Sequence, residues 1–169
     1  LLVEDNEDDA RLLLRVLGKG GFLPDCKRVD TSEALLAALG AGGWDLVISD
    51  YSMPGFSGLR ALEITRRHDA DLPFIIVSGN IGEEVAVGAM RAGAQDYLLK
   101  NNLARLAPAI ARELDEAASR RRGKETEAAL QQTKERLNSI LGALDDIVWS
   151  IGLPGLNGFV GEFLILLGT

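Results

Sequence analysis

Residues 46–55 read LVISDYSMPG: a short apolar run ends in Asp50, and Pro54-Gly55 supplies a turn. An apolar run of this length, bounded by turn residues, is the pattern of a strand buried on both faces. A carboxylate at the end of such a strand is costly to desolvate unless positive charge or hydrogen bonds meet it. What meets Asp50 therefore decides both the fold around it and the chemistry it can do.

Outward from this stretch, residues 1 to about 100 alternate short apolar runs with amphipathic stretches. Strands are expected at 1–4, 23–29, 45–49, 73–77 and 96–99. Thr31 or Ser32 caps a helix running to Leu39, and Gly40, Gly42 and Gly43 end it. In SGLRALEITRRH, Leu59, Ala61, Leu62 and Ile64 fall on one side, with Arg60, Arg66 and Arg67 on the other. GEEVAVGAMRAG places Glu83 and Glu84 in a first turn, where the helix dipole favours them. Five strands and five helices in strict alternation predict an α/β fold, a doubly wound five-stranded parallel sheet covered on both faces. In such sheets ligands bind outside the carboxyl ends of the strands.

The 169 residues suffice for one ordinary domain and a further segment, since domains cluster near ~100–150 residues. A hydrophobic share of 47% with 25% charged residues is a globular composition. The net charge of -7 argues against sequence-independent nucleic-acid binding, which needs clustered Lys and Arg. A single cysteine, Cys26, cannot form an internal disulfide, and no leader precedes residue 1, so a cytoplasmic setting is expected. The chain begins without Met inside an apolar run and reads as a fragment.

Gathered by strand end, Glu4 and Asp5 follow the first strand, Asp50 the third, Ser78 the fourth and Lys100 the fifth. Three carboxylates sharing one pocket repel one another unless a hard cation holds them, and Mg²⁺ fits such oxygen donors. Lys100 supplies a second positive partner. A carboxylate beside Mg²⁺, with an ammonium and a hydroxyl aimed at the same point, is arranged to accept a phosphoryl group.

LLVEDNEDD, LVISDYSMPGFSGLRAL, IIVSGN and AGAQDYLLK, in this order, closely resemble the receiver domain of two-component response regulators, a flavodoxin-like fold, over residues 1 to about 118. The resemblance implies Asp50 as phosphoacceptor, receiving its phosphoryl group from a sensor histidine kinase or a phosphotransfer protein. Asp5, Asp50 and the backbone carbonyl of Ser52 would bind Mg²⁺ directly, with Glu4 acting through water. Lys100 would pair with the phosphate. Ser78 would be the switch hydroxyl and Tyr97 the aromatic switch, altering the face of the fourth helix, fifth strand and fifth helix. Ser52 and Asn80 occupy positions that tune dephosphorylation. Catalysis would be confined to the chain's own phosphoryl transfer and dephosphorylation. Glu4 departs from the family's commoner Asp, and Asn101 stands where the family usually has Pro.

Alternatives differ in class. A phosphorylation-independent interaction module of receiver shape would lack reason to keep Asp50, Ser78 and Lys100 together. A phosphatase with an aspartyl nucleophile needs a second acid two residues on, where this chain has Ser52. Glu7 and Asp9 read as solvated loop residues and Asp8 as the cap or start of the first helix. His68, the only histidine, reads as a helix C-terminal residue, and Trp44 and Trp149 as packing residues.

After Leu103 the sequence is almost all helix-forming, and Leu130, Leu137 and Leu144 recur every seven residues. A helical connector over 119–145, with Gly123 as a possible break, could pair in a homodimer. Its seven basic and six acidic residues from Arg112 to Arg136 nearly balance, so Arg120–Lys124 reads as a solvated face, without nucleic acid as partner. LNSILGALDDIVWSI resembles the opening of a PAS sensor domain, in which a helix leads into a first strand. Residues 152–169, GLPGLNGFVGEFLILLGT, resemble a broken transmembrane segment of the antiporter-like subunits of respiratory NADH:quinone oxidoreductase. Pro154, Asn157 and Glu162 make them a poor membrane helix, and a chimeric join near Ile151 is expected. The third region is accordingly 146–169, a PAS-like start and an apolar tail, the tail being the one link to a membrane.

Overall fold

A computed structural model of the chain describes residues 1–79 and 83–151. The chain divides into two compact units, Leu1–Ser119 and Arg120–Thr169.

The first unit holds a five-stranded sheet of β1 (Leu2–Val3), β2 (Arg28–Val29), β3 (Val47–Asp50), β6 (Phe74–Ser78) and β7 (Asp96–Leu99) in the order β2-β1-β3-β6-β7, every pair parallel. Between and after them come α1 (Glu7–Lys19), α2 (Ser32–Ala41), α3 (Gly58–His68), α4 (Glu83–Arg91) and α5 (Leu106–Ile151). This is the expected flavodoxin-like architecture, with the strand order reversing between β1 and β3.

Strand side chains alternate between two cores, as a period of two requires. Val3, Val47, Phe74 and Ile76 join residues of α2 and α3, including Leu35, Leu39 and Leu62. Leu2, Ile48, Ile75, Val77 and Leu98 join Leu13 and Leu17 of α1 and Leu106 and Ile110 of α5. Apart from Ser49, buried in β3 with its hydroxyl on the Asp50 carbonyl, the strand interiors are apolar, and Asp50 and Ser78 end β3 and β6 at the sheet edge.

Local chemistry refines the boundaries. Asn6, rather than Asp8, caps α1: its side chain accepts from the backbone N–H groups of Asp8 and Asp9, because the cap must precede the first helical turn. Thr31 caps α2 as expected, accepting from the Ala34 N–H. A two-stranded antiparallel hairpin, β4 (Ser52–Met53) and β5 (Phe56–Ser57), surrounds the expected turn at Pro54-Gly55. Gly55 has φ +73°, as a type II turn with proline before glycine requires.

A 3₁₀ turn, Lys100–Arg105, precedes α5, and no described peptide bond is cis, that of Asn101 included. Trp44 packs against the α2 side of the core and donates its indole N–H to the Ala38 carbonyl at 2.7 Å. His68 is exposed in the last turn of α3, as read. Arg66, on the side of α3 opposite the apolar residues, is nonetheless not free in solvent. It is half-buried and donates to the carbonyls of Leu72 at 2.6 Å and Gly93 at 2.8 Å and to the Gln95 side chain at 2.7 Å, bracing the turns that enter β6 and β7.

Helix α5 continues through Gly123 to Ile151, so the strand entry of the PAS-like reading is helical here. A strand's backbone groups need a neighbouring strand, whereas a helix satisfies its own. Leu130, Leu137, Ile140 and Leu144 are all exposed along the helix. The tail 152–169, with its suspected join, lies outside the described residues, as does Asn80. Among the described residues no helix is long and apolar enough to cross a membrane.

Candidate functional site

The carboxyl edge of the sheet brings Glu4, Asp5, Asp50 and Lys100 together. Glu4, just beyond β1, is fully buried, and its carboxylate accepts from the Asn6 N–H at 3.1 Å and from Lys100 Nζ at 3.0 Å. Burial pushes its pKa up, against the opposing pull of those two hydrogen bonds. Asp5 is exposed at the mouth. Arg28 of β2 donates to the carbonyls of Glu4 at 2.9 Å and Asp5 at 3.1 Å, which fixes the backbone presenting both acids.

Asp50 ends β3 and is buried. Its Oδ1 accepts from the Ser52 N–H at 3.3 Å, and its Oδ2 accepts from Lys100 Nζ at 2.8 Å. The unpaired carboxylate of the sequence thus has its partner. Lys100 starts the 3₁₀ turn after β7 and donates three times, to Asp50, to Glu4 and to Asp9 at 2.5 Å. Burial alone would lower the lysine pKa, but the three carboxylates outweigh it and raise it above its ordinary value.

Asp9 is not the solvated loop carboxylate its sequence context suggests: it meets Lys100. It lies in the first turn of α1, whose cap at Asn6 turns it toward Lys100. Glu7 instead pairs with Arg11 on the exposed side of that helix. Ser78 ends β6, is buried, and lies one residue past Val77, the sheet neighbour of Asp50. Ser52 is exposed in β4. Tyr97 of β7 is half-buried and meets Tyr51 edge to face, with ring centroids 6.4 Å apart. Tyr51 directly follows Asp50, so an aromatic contact links the site strand to β7.

Gly58, the first residue of α3, was also not singled out by sequence. A Cβ there would lie 2.5 Å from the Asp50 carbonyl oxygen and 2.9 Å from Tyr51 Cα, so only glycine lets the helix approach the site strand. Its N–H donates to the Tyr51 carbonyl at 2.9 Å.

Glu4, Asp5 and Asp50 each bring one carboxylate oxygen to within 4.8 Å of the others. Glu4, Asp9 and Asp50 share the one ammonium, and Asp5 adds a fourth carboxylate beside Glu4 and Asp50. Such a surplus of hard oxygen donors, two of them on buried residues, suits a small divalent cation of the Mg²⁺ type.

The family model for the response regulator receiver domain matches residues 1–111. The response regulator protein FleR of Pseudomonas aeruginosa is 39% identical over 100 residues, which is 59% of this chain and 21% of FleR. The chain thus spans about a fifth of that relative. Among solved structures, NtrX from Brucella abortus superposes with a TM-score of 0.64 at 26% identity, over 80% of this chain and 33% of NtrX. The receiver domain of the Francisella response regulator 1452 superposes with a TM-score of 0.60 at 21% identity, over 68% of this chain and 94% of that one, a likeness of fold.

Proposed function

The chain belongs to the response regulator receiver domain family, and from that premise we propose that Asp50 accepts a phosphoryl group from the phosphohistidine of a sensor histidine kinase or phosphotransfer protein. The observation carrying this reading is the contact of Lys100 Nζ with Asp50 Oδ2 at 2.8 Å, at the strand end where Glu4 and Asp5 also converge.

An Asp50 carboxylate oxygen attacks phosphorus in line with the departing imidazole. The new O–P bond replaces the P–N bond, and the electron pair of the latter leaves on the histidine nitrogen. Lys100, now bonded to Asp50, would donate to a phosphoryl oxygen once one of its carboxylates lets go, and the buried Ser78 hydroxyl at the end of β6 would do the same. Asp5, Asp50 and the Ser52 carbonyl would hold Mg²⁺, with Glu4 reaching it through water, and when bound the ion would neutralise charge on the transferring group.

A switch follows from the neighbours of the site. Moving Ser78 toward the phosphoryl group changes the space beside Tyr97, whose contact with Tyr51 is edge to face. The face of α4, β7 and α5 is then the output to a partner. We assign the receiver to residues 1–118 and a connector to 119–145, with the exposed Leu130, Leu137, Ile140 and Leu144 as its homodimer seam. A cytoplasmic setting completes this reading.

Intact mass after incubation with acetyl phosphate tests it. One phosphoryl adduct that requires Mg²⁺ and is absent from Asp50→Asn is expected. No adduct on the folded native chain would leave a phosphorylation-independent docking module.

A further inference from the structure

Lys100 is saturated. An ammonium has three protons to donate, and here Glu4, Asp9 and Asp50 take all three. A phosphoryl oxygen arriving at Asp50 therefore finds no proton free on the lysine, and one acceptor must let go.

The three acceptors differ in what release would mean. The Glu4 side chain is 0% exposed and that of Asp50 9%, whereas that of Asp9 is 35% exposed. Freed Glu4 would be a buried charge without its cation, and Asp50 is the group being modified. Freed Asp9 meets water at once. It also sits in the first turn of the 13-residue α1, where the helix dipole stabilises a carboxylate without any help from Lys100.

We propose that Asp9 is a positioning residue that holds Lys100 in the unphosphorylated state and surrenders it to the phosphoryl group. The inference rests on the phosphoacceptor reading of Asp50. Asp9 thereby works as a competing counter-ion. It keeps the ammonium neutralised and directed toward α1 at rest, and its charge opposes the approach of an anionic donor. The first turn of α1 thus registers the state of Asp50.

The test compares the full native chain with Asp9→Asn, which keeps shape and loses charge, and Asp9→Glu, which restores charge. Adduct formation is followed against acetyl phosphate concentration at fixed Mg²⁺. The metal-free chains are examined by ¹⁵N–¹H NMR of the Lys100 side-chain ammonium. Asp9→Asn is expected to lower the half-saturating acetyl phosphate concentration about two- to fivefold, the range of a partly exposed ion pair. The ammonium protons should exchange faster with water in Asp9→Asn than in the native chain, and Asp9→Glu should return both quantities toward native.

An unchanged or raised half-saturation in Asp9→Asn, or an ammonium signal identical to native, overturns the inference while the native adduct upholds the phosphoacceptor reading. A native chain that takes no adduct overturns that reading instead.

Discussion

Lys100 carries the site at the scale of single residues. Its pKa is raised by Asp50, Asp9 and Glu4 against the lowering effect of burial. Its contribution to stability is accordingly full below the ordinary lysine value and is lost only as pH rises through the higher folded value. Lys100→Met leaves Glu4 buried without its cation. Urea unfolding should show a loss of about 3 kcal/mol, the scale for breaking a buried ion pair from one side. A variant as stable as the native chain would mean that the lysine does not compensate these carboxylates. Cys26 offers a second residue-level test. Burial, the dominant influence, pushes its thiol pKa up, so less thiolate is present in the folded chain than in the unfolded one at any pH below that value. Alkylation by iodoacetamide at pH 8 should be slower on the native chain than in denaturant; equal rates would contradict the half-buried placement. Asp50, Glu4 and Lys100 were legible in the sequence because each follows an apolar run. Asp9 was not, because its role depends on the position of the Asn6 cap: a cap at Asp8 would place Asp9 on a different side of the helix.

At the scale of elements, close approach and periodicity take over. Gly58 lets α3 start against the backbone of Asp50 and Tyr51. Gly58→Ala is expected to destabilise by about 1–3 kcal/mol, as overpacking does, and to slow adduct formation at Asp50, because the displaced atoms are backbone. Unchanged stability with an unchanged rate would mean that the backbone yields freely there. The connector is tested by Leu137→Asp. If the exposed seam of α5 pairs two chains, analytical ultracentrifugation should find a dimer for the native chain and a monomer for the variant; identical distributions would remove the seam as an interface. The helices and major strands could be read from hydrophobic period and caps. The β4–β5 hairpin could not, since two-residue strands have no period of their own. Nor could the bracing by Arg66, whose partners are the carbonyls of Leu72 and Gly93, groups that carry no side-chain signal.

For the whole molecule, the sheet order decides what chemistry is possible. Reversal between β1 and β3 opens one edge, and the turns after β1, β3 and β7 deliver acids and a lysine to it from residues up to 96 positions apart in sequence. No local stretch carries the function alone. It is the parallel topology, forced by strands that are apolar on both faces, that assembles it. The leucines at heptad spacing, Leu130, Leu137 and Leu144, belong to the second unit. Whether the phosphoryl group resides on Asp50 is tested most directly by reducing the acetyl phosphate-treated native chain with borohydride, followed by peptide mapping. An acyl phosphate is reduced to the alcohol, so homoserine is expected at position 50, dependent on Mg²⁺ during phosphorylation, with Glu4, Asp5 and Asp9 unmodified. Homoserine at Asp5 or Asp9, or an unreduced Asp50 in a chain that carries a phosphoryl adduct, would contradict the assignment to Asp50.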